Sequence, residues 1–151
     1  MTEFIPTDEN YREKVEKSFD RQQAMDTIGI TLEKVDPGRV VLNMPYKEAY
    51  TQQHGFVHAG ILSTALDSAC GYAAFSLMPK EAAVLSIEYK VNFLAPAKGE
   101  MFIITGQVLK EGKTVTVCQA EAYAVNGKKK KLVAQMTGTM MTIIGRKEIH
   151  Q

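Results

Sequence analysis

Apolar residues in the first third of the chain recur first with a helical and then with a strand-like period. From Asn10 to Met25 they follow helical spacing among charged residues, which predicts one amphipathic helix. Asn10 is a suitable N-cap, and Glu13, three residues later, completes a capping-box pattern. The runs Ile28 to Val35 and Arg39 to Met44 predict two strands. Asp36-Pro37-Gly38 between them predicts a hairpin turn, because proline fixes its φ and glycine accepts a positive φ.

The middle of the chain predicts one long buried helix. Tyr46 to Gly55 is polar and irregular, as in a loop, and His58 to about Leu77 is then rich in alanine and leucine until Pro79 ends it. One stripe of this helix is apolar, and a second stripe consists of small or polar residues, namely Gly60, Ser63, Thr64, Asp67 and Gly71. A helix with so few charges is expected inside a fold rather than on its surface.

The rest of the chain reads as strands. Leu85 to Phe93 alternates apolar and polar residues with period two, until Pro96 and Gly99 interrupt the pattern. The later strand-like runs are Met101 to Leu109, Thr114 to Val125 and Lys131 to Ile144, with turn signals at Glu111-Gly112-Lys113 and Asn126-Gly127. This order of elements predicts an α+β fold. In it an antiparallel sheet of about five to six strands curls around the long central helix, with an extra helix at the N-terminus.

Composition excludes several classes of protein. The chain has 151 residues, 45% hydrophobic and 23% charged, which predicts a single domain with its core at about 25–144, an N-terminal helix within 1–25 and a tail at 145–151. Its 18 basic and 17 acidic residues leave a net charge of +1, so we expect no nucleic-acid or membrane partner. No apolar run is long enough to span a bilayer, and Met1 to Pro6 lacks a signal-peptide pattern. With only two cysteines, Cys70 and Cys118, a cytoplasmic location is expected.

Asp67 stands out as the one carboxylate of the long helix. An unpaired carboxylate on a buried helix is costly, so Asp67 needs either hydrogen-bond partners or a chemical role. In the structural interpretation it accepts hydrogen bonds from Ser63, Thr64, the backbone near Gly71 or a neighbouring chain. In the functional interpretation it acts on a bound substrate.

The segment from Gln52 to Gly60 favours the functional interpretation. It ends where the long helix starts, so the first amides of that helix lack helical acceptors and can bind an anion or a polarised carbonyl oxygen. The small residues Ala59 and Gly60 leave room for a ligand to approach. Such donors stabilise a developing oxyanion by roughly 3–4 kcal/mol each in known cases. The alternative is a tight helix start that binds nothing.

Two motifs resemble the signature of hotdog-fold acyl-CoA thioesterases, specifically the phenylacetate-degradation (PaaI-like) type. The first is Gln52-x-x-Gly55-x-x-His58-Ala59-Gly60 followed by Leu66-Asp67-Ser68-Ala69-x-Gly71, with Asp67 nine positions beyond His58. The second is the run from Ser86 to Ala97, which is similar to the family's strand ending in Phe-Leu-x-Pro-Ala. The resemblance covers about residues 25–144. Two positions depart from the pattern, since Ala59 replaces the first glycine of His-Gly-Gly and Gln52 stands where asparagine is common.

The resemblance implies an enzyme that hydrolyses acyl-CoA thioesters and needs no cofactor beyond the coenzyme A of its substrate. By position, Asp67 would be the catalytic carboxylate, as general base or nucleophile, and the Ala59 N–H would polarise the thioester carbonyl. Gln52 would orient the water or the substrate, and Ser86 would help to position water. The residues expected to contact the substrate are His54, Gly55, His58, Gly60 and Gly71.

Helix geometry constrains how such a site assembles. Asp67 lies eight residues beyond Ala59, which separates them by about 12 Å along one helix. Both groups must lie about 3 Å from the same reacting carbonyl. Two antiparallel copies of the helix meet this requirement, which predicts a composite site in an obligate homodimer, as the resemblance also implies. A dimer of dimers is a further expectation.

Several other residues have plainer interpretations. His54 and His58 lack the glutamate of a zinc-protease motif, so no metal site is expected, and His58 is expected to hydrogen-bond locally at the helix start. Cys70, on the apolar stripe, is expected to pack in the core. The run Lys128 to Lys131 is typical of a solvated turn, with the phosphates of coenzyme A as an alternative ligand.

Two other functions stay open. One is a hotdog dehydratase or hydratase acting on acyl thioesters, in which His54 and Asp67 would form the histidine–carboxylate pair that moves protons. The other is a non-catalytic acyl-CoA-binding protein. As the acyl part of the substrate, an aryl or medium-chain group would suit walls formed by Phe56, Tyr72, Phe75 and Met78.

Overall fold

The computed structural model describes residues 3–151. Met1 and Thr2, which belong to the segment searched for a signal pattern and to the predicted N-terminal region 1–25, lie outside it. The elements are α1 (Tyr11–Arg21), α2 (Gln23–Ile28), β1 (Thr31–Asp36), β2 (Arg39–Pro45), a short 3-10 helix (Glu48–Tyr50), α3 (Ala59–Phe75), β3 (Ala83–Phe93), β4 (Met101–Lys110), β5 (Val115–Asn126) and β6 (Lys129–Ile143). No helix of the described residues combines the length and apolar composition needed to cross a membrane.

One sheet and one central helix make up the core. The six strands are antiparallel, in the order β1-β2-β4-β5-β6-β3, so β1 and β3 are the edges. α3 packs on the sheet and contacts β2, β3, β4, β5 and β6. Leu66, Ala69 and Ala73 of α3 are fully buried. The predicted α+β fold, with a sheet around a central helix and an additional helix before it, is confirmed.

The N-terminal helix differs from the prediction. The backbone leaves the helix at Gln22 (φ −81°, ψ 95°), so the predicted 10–25 helix divides into α1 and α2, and α2 runs on to Ile28, where the pattern predicts a strand. The Asn10 side chain makes no capping hydrogen bond within residues 3–151, and the Asn10 N–H donates to Asp8 Oδ1 instead. Glu13 pairs with Lys17 at 2.5 Å, so the predicted capping box is wrong. Asp8 supplies the polar partners at the start of α1 instead, because its carbonyl oxygen also accepts the Tyr11 N–H.

A glycine of β4 lets α3 approach the sheet closely. A Cβ atom on Gly106 would lie 2.2 Å from the carbonyl oxygen of Ala69 and 2.9 Å from its Cβ. Ala69 lies in the middle of a buried helix, and its backbone cannot shift without moving the surrounding core. The position therefore excludes any side chain larger than hydrogen.

We expect Gly106→Ala to lower the free energy of unfolding by about 3 kcal/mol, the upper end of the usual cost of overpacking a core. Gly138→Ala is the matched control, because Gly138 also lies in a strand beneath α3 but an added Cβ there meets first the flexible end of the Met140 side chain, at 2.8 Å. Urea unfolding of the two variants measures the difference. Equal destabilisation of both would contradict the role given to the close approach at Ala69.

Candidate active site

Asp67 lies on a stripe of α3 that the sheet leaves uncovered. Gly60, Thr64, Asp67 and Gly71 form this stripe at intervals of three or four residues, whereas the helix residues between them from position 62 onward are buried. Ser63 belongs to the small-residue stripe of the sequence but is buried, at 7% exposure. On the uncovered side, Ser86 Oγ of β3 donates a hydrogen bond to Asp67 Oδ1 at 2.7 Å. The structure thus brings together the predicted carboxylate and the predicted serine.

A β-bulge in β3 directs Ser86 toward Asp67. Ser86 pairs with Met140 of β6 and Glu88 with the next residue, Thr139, so Ile87 is the extra residue of the bulge. Paired residues of an antiparallel sheet point to the same face, and Met140 is on the buried face. Tyr89 pairs with Gly138, which is also buried beneath α3, so Ser86 and Tyr89 share that face although they are three residues apart. The predicted period of two therefore changes phase at Ile87.

Asp67 and Ser86 line a small cavity of about 80 Å³. Its remaining walls come from the junction between α1 and α2, from α3, from β3 and from the segment after β6, and consist of Gln22, Ser68, Gly71, Tyr72, Val84 and Gln151. Ser68 Oγ donates to Gln22 Oε1 at 3.1 Å, and the Tyr72 hydroxyl lies 3.2 Å from Ser18 Oγ. Burial raises the pKa of Tyr72, so its hydroxyl stays protonated near neutral pH. The cavity is therefore small and mainly polar.

The second part of the predicted site is the start of α3. His58 is the N-cap, and its Nδ1 accepts the Gly60 N–H at 2.8 Å, which is the local hydrogen bond predicted for His58 at the helix start. The His58 carbonyl oxygen accepts the N–H groups of Ile61 and Leu62. Ala59 is the first helical residue, and no acceptor within residues 3–151 takes its N–H. Of the first helical amides, this N–H is the one left for a ligand.

The loop before α3 folds tightly around Gln52. Gln52 Oε1 accepts the His54 N–H at 2.5 Å, and the Gln52 N–H donates to the carbonyl oxygen of Phe56 at 2.9 Å. Gly55 takes a φ of 81°, a left-handed conformation that favours glycine. These contacts fix the Gln52 side chain near the start of α3.

A cavity of about 350 Å³ lies against this loop and the start of α3. It is lined by Gln52, Gln53, Phe56, Val57, His58, Ala59, Leu62, Phe93, Ala95, Pro96 and Ala97. The end of the second motif, from Phe93 to Ala97, thus forms one wall and the helix start another. Gln52 and the free N–H of Ala59 belong to the same cavity.

Within one protomer the two parts of the site stay apart. Asp67 and Ser86 line the smaller cavity, Gln52 and Ala59 line the larger one, and no residue lines both. Of the predicted substrate contacts, Gly71 lines the smaller cavity and His58 the larger. His54, Gly55 and Gly60 are exposed and line neither of the two. His54 lies beside Gln53, at 3.5 Å between Nε2 atoms, rather than beside Asp67.

The remaining candidates have structural surroundings. Cys70 is fully buried, and its burial raises the pKa of its thiol, which disfavours the reactive thiolate. Lys128 to Lys131 is exposed at the hairpin between β5 and β6. No group of three or more His, Cys, Asp or Glu residues in positions 3–151 is arranged to hold a metal ion. Binding of coenzyme A phosphates by the lysines stays a prediction.

Sequence reasoning missed three walls of the smaller cavity, Gln22, Val84 and Gln151. Gln22 was expected inside a continuous helix, Val84 precedes the predicted strand and Gln151 belongs to the predicted tail. No local motif marks them, because they reach Asp67 only through tertiary packing. Of the predicted acyl-pocket residues, Tyr72 lines the smaller cavity and Phe56 the larger one. Phe75 and Met78 are buried near the end of α3 and line neither of the two cavities.

Comparison with known proteins identifies the family. The model of the thioesterase superfamily matches residues 54–131, which include Asp67 and the start of α3. The crystal structure of a thioesterase family protein from Silicibacter pomeroyi is 57% identical, has a TM-score of 0.88, and covers 89% of this chain and 99% of that chain. The PaaI protein of E. coli, from the phenylacetic acid degradation operon, is 25% identical with a TM-score of 0.80, over 90% of this chain and 95% of its own. Human acyl-coenzyme A thioesterase 13 is 33% identical over 107 residues, 70% of this chain and 74% of its own. The chain therefore belongs to the thioesterase superfamily, as a thioester hydrolase with a PaaI-like hotdog fold.

Proposed function

We propose that this protein hydrolyses acyl-CoA to the free acid and coenzyme A, at a site shared by two protomers. The observation that carries the proposal is the position of two complementary groups on the exposed side of α3. One is the Asp67 carboxylate, which Ser86 holds, and the other is the free N–H of Ala59. The similarity to acyl-coenzyme A thioesterase 13 supports acyl-CoA as the substrate class.

The edge strand β3 supports a homodimer. Edge strands are usually short or carry charged residues, which prevents pairing with another chain. β3 carries the exposed residues Glu88 and Lys90, but it is 11 residues long and also exposes large apolar side chains, with Leu85 45%, Ile87 53%, Tyr89 46% and Phe93 48% accessible. Its outer edge pairs with no other strand of residues 3–151. A second copy of β3, antiparallel to the first, would extend the sheet and cover these side chains in a two-fold contact.

The same two-fold symmetry would join the separate parts of the site. The midpoint between Ala59 and Asp67 falls at residue 63, next to Thr64 on the uncovered stripe of α3. Two antiparallel helices that cross near Thr64 would place Asp67 of each protomer by the helix start of the other. Gly60, Thr64 and Gly71 are small enough to let the helices approach.

In this arrangement the thioester carbonyl oxygen would accept the N–H of Ala59 of the partner subunit, which stabilises the oxyanion that develops. As a general base, Asp67 takes a proton from water while the water oxygen attacks the carbonyl carbon. The C–S bond then breaks, and the coenzyme A thiolate recovers the proton. As a nucleophile, Asp67 would form an acyl anhydride with loss of the thiolate, and water would hydrolyse it. Ser86 holds one carboxylate oxygen in either case, and Gln52 of the partner subunit, which lines the same cavity as Ala59, orients the water or the substrate.

Thiol release from a panel of acyl-CoAs, with short, medium, long and aryl acyl groups, tests the proposed function. We expect release of coenzyme A from at least one member, detected with a thiol reagent, without added metal or cofactor. Tight binding of one member with no release from any would instead favour the acyl-CoA-binding protein. Formation of an enoyl- or hydroxyacyl-CoA without thiol release would favour the dehydratase.

A further inference from the structure

The segment that follows β6 packs against α1, and its residue Gln151 forms part of the wall of the cavity that Asp67 lines. Gln151 Oε1 accepts the backbone N–H of Val84 in β3 at 3.0 Å, and Gln151 Nε2 donates to Ser18 Oγ of α1 at 2.9 Å. The side chain therefore bridges the edge strand and the N-terminal helix. Both of its polar ends are satisfied, which holds it in one position.

Gln151 separates two cavities. On one side is the cavity of about 80 Å³ that Asp67 and Ser86 line. On the other is a cavity of about 600 Å³ between α1, the end of α3 and the segment after β6, and Gln151 is the one residue that lines both. The hydrogen bond between Ser18 and Tyr72 continues this partition, because Ser18 lines the larger cavity and Tyr72 the smaller.

If Asp67 acts on the thioester, as proposed above, the partition lies beside the space that the acyl group would occupy. A thioester whose carbonyl carbon is within reach of Asp67 places its acyl group in or beside the cavity that Asp67 lines. That cavity holds roughly three water-sized groups, at about 30 Å³ each. A longer chain would have to pass Gln151 to enter the larger cavity.

We propose that Gln151 is a specificity-determining residue that limits the length of the acyl group, so that the enzyme selects short acyl thioesters. This inference rests on the proposed function, because it takes Asp67 as the group next to the reacting carbonyl. Gln151 makes no contact with the reacting atoms. It acts as the wall that closes the acyl cavity, anchored by Val84 and Ser18.

The test compares kcat/KM for butanoyl-CoA and decanoyl-CoA in the wild type and in Gln151→Ala. We expect the wild type to prefer butanoyl-CoA, and Gln151→Ala to raise the ratio of decanoyl to butanoyl kcat/KM by about tenfold or more, the usual scale of size discrimination in a pocket. His150→Ala is the matched control, because His150 is exposed and lines only the larger of the two cavities. We expect it to leave the ratio unchanged. A wild-type preference for decanoyl-CoA, or an unchanged ratio in Gln151→Ala, would overturn the inference.

A binding measurement separates this inference from the proposed function. Isothermal titration with the non-hydrolysable thioethers S-butyl-CoA and S-decyl-CoA gives the ratio of the two Kd values in each variant. If the wild type hydrolyses no member of the acyl-CoA panel, but Gln151→Ala shifts the Kd ratio toward S-decyl-CoA, the acyl wall stands and the thioesterase activity does not. If hydrolysis occurs and neither ratio changes, the reverse holds. Thermal unfolding of both variants confirms that a shift does not come from loss of structure.

Discussion

Replacement of Asp67 by asparagine is expected to lower kcat for acyl-CoA hydrolysis by about a thousandfold or more, within the usual range for loss of a general base. Asparagine has the size of aspartate and can still accept the hydrogen bond from Ser86, but it neither takes a proton from water nor attacks the thioester. Thiol release at saturating substrate measures the change. Binding of a non-hydrolysable S-alkyl-CoA thioether should stay close to that of the wild type.

The matched control for this variant is Asp20→Asn, which makes the same chemical change at an exposed position of α1. It should retain wild-type hydrolysis. Wild-type turnover by Asp67→Asn would exclude Asp67 as base or nucleophile. Loss of thioether binding together with turnover would show instead that the carboxylate holds the substrate.

Replacement of Ala59 by proline is expected to lower kcat by about 100- to 1000-fold, the cost of one lost oxyanion donor. Proline removes the N–H of Ala59 and little else, since it is favoured at the first position of a helix. His58 already has the extended conformation that a following proline requires, with φ −58° and ψ 137°. Ala59→Gly keeps the N–H and should retain most of the activity. Circular dichroism checks that α3 persists in both variants.

Mixing the two inactive variants tests whether the site is composite. In a heterodimer of Asp67→Asn with Ala59→Pro, one site carries both changes and the other carries neither. Random exchange of subunits should therefore restore about one quarter of the wild-type activity. No recovery, in a mixture shown to contain heterodimers, would place both groups in a site within one protomer.

Local sequence signals predicted the turns and the helix end that depend on the backbone preferences of single residues. The turn at Pro37-Gly38, the end of α3 before Pro79 and the hairpin after Asn126 follow from residues that restrict or permit particular backbone angles. The break at Gln22 has no such signal, because neither glycine nor proline occurs there. The bond from Ser68 to Gln22 shows that tertiary contacts with α3 accompany it.

The candidate site likewise contains residues that sequence patterns reveal and residues that only the folded structure reveals. Asp67, Ala59 and Gln52 could be found because a helix start and a lone carboxylate have recognisable patterns in the sequence. Gln22 and Gln151 could not, because they lie 45 and 84 residues from Asp67 along the chain and meet it only in the folded protein. The burial of Ser63 was equally hidden, since it depends on how the sheet wraps α3.

The bulge at Ile87 also bears on how homologous chains should be aligned. Removal of Ile87 would make Ser86 and Glu88 neighbours in a regular ladder, opposite Met140 and Thr139 as before, and every other side chain of β3 would keep its face. Removal of a residue elsewhere in β3 would turn part of the strand over, unless the bulge were lost at the same time. Evolution can therefore add or delete one residue at this point without moving Ser86 from Asp67. A single-residue gap in the middle of this strand is compatible with a complete site, although gaps are normally expected in loops.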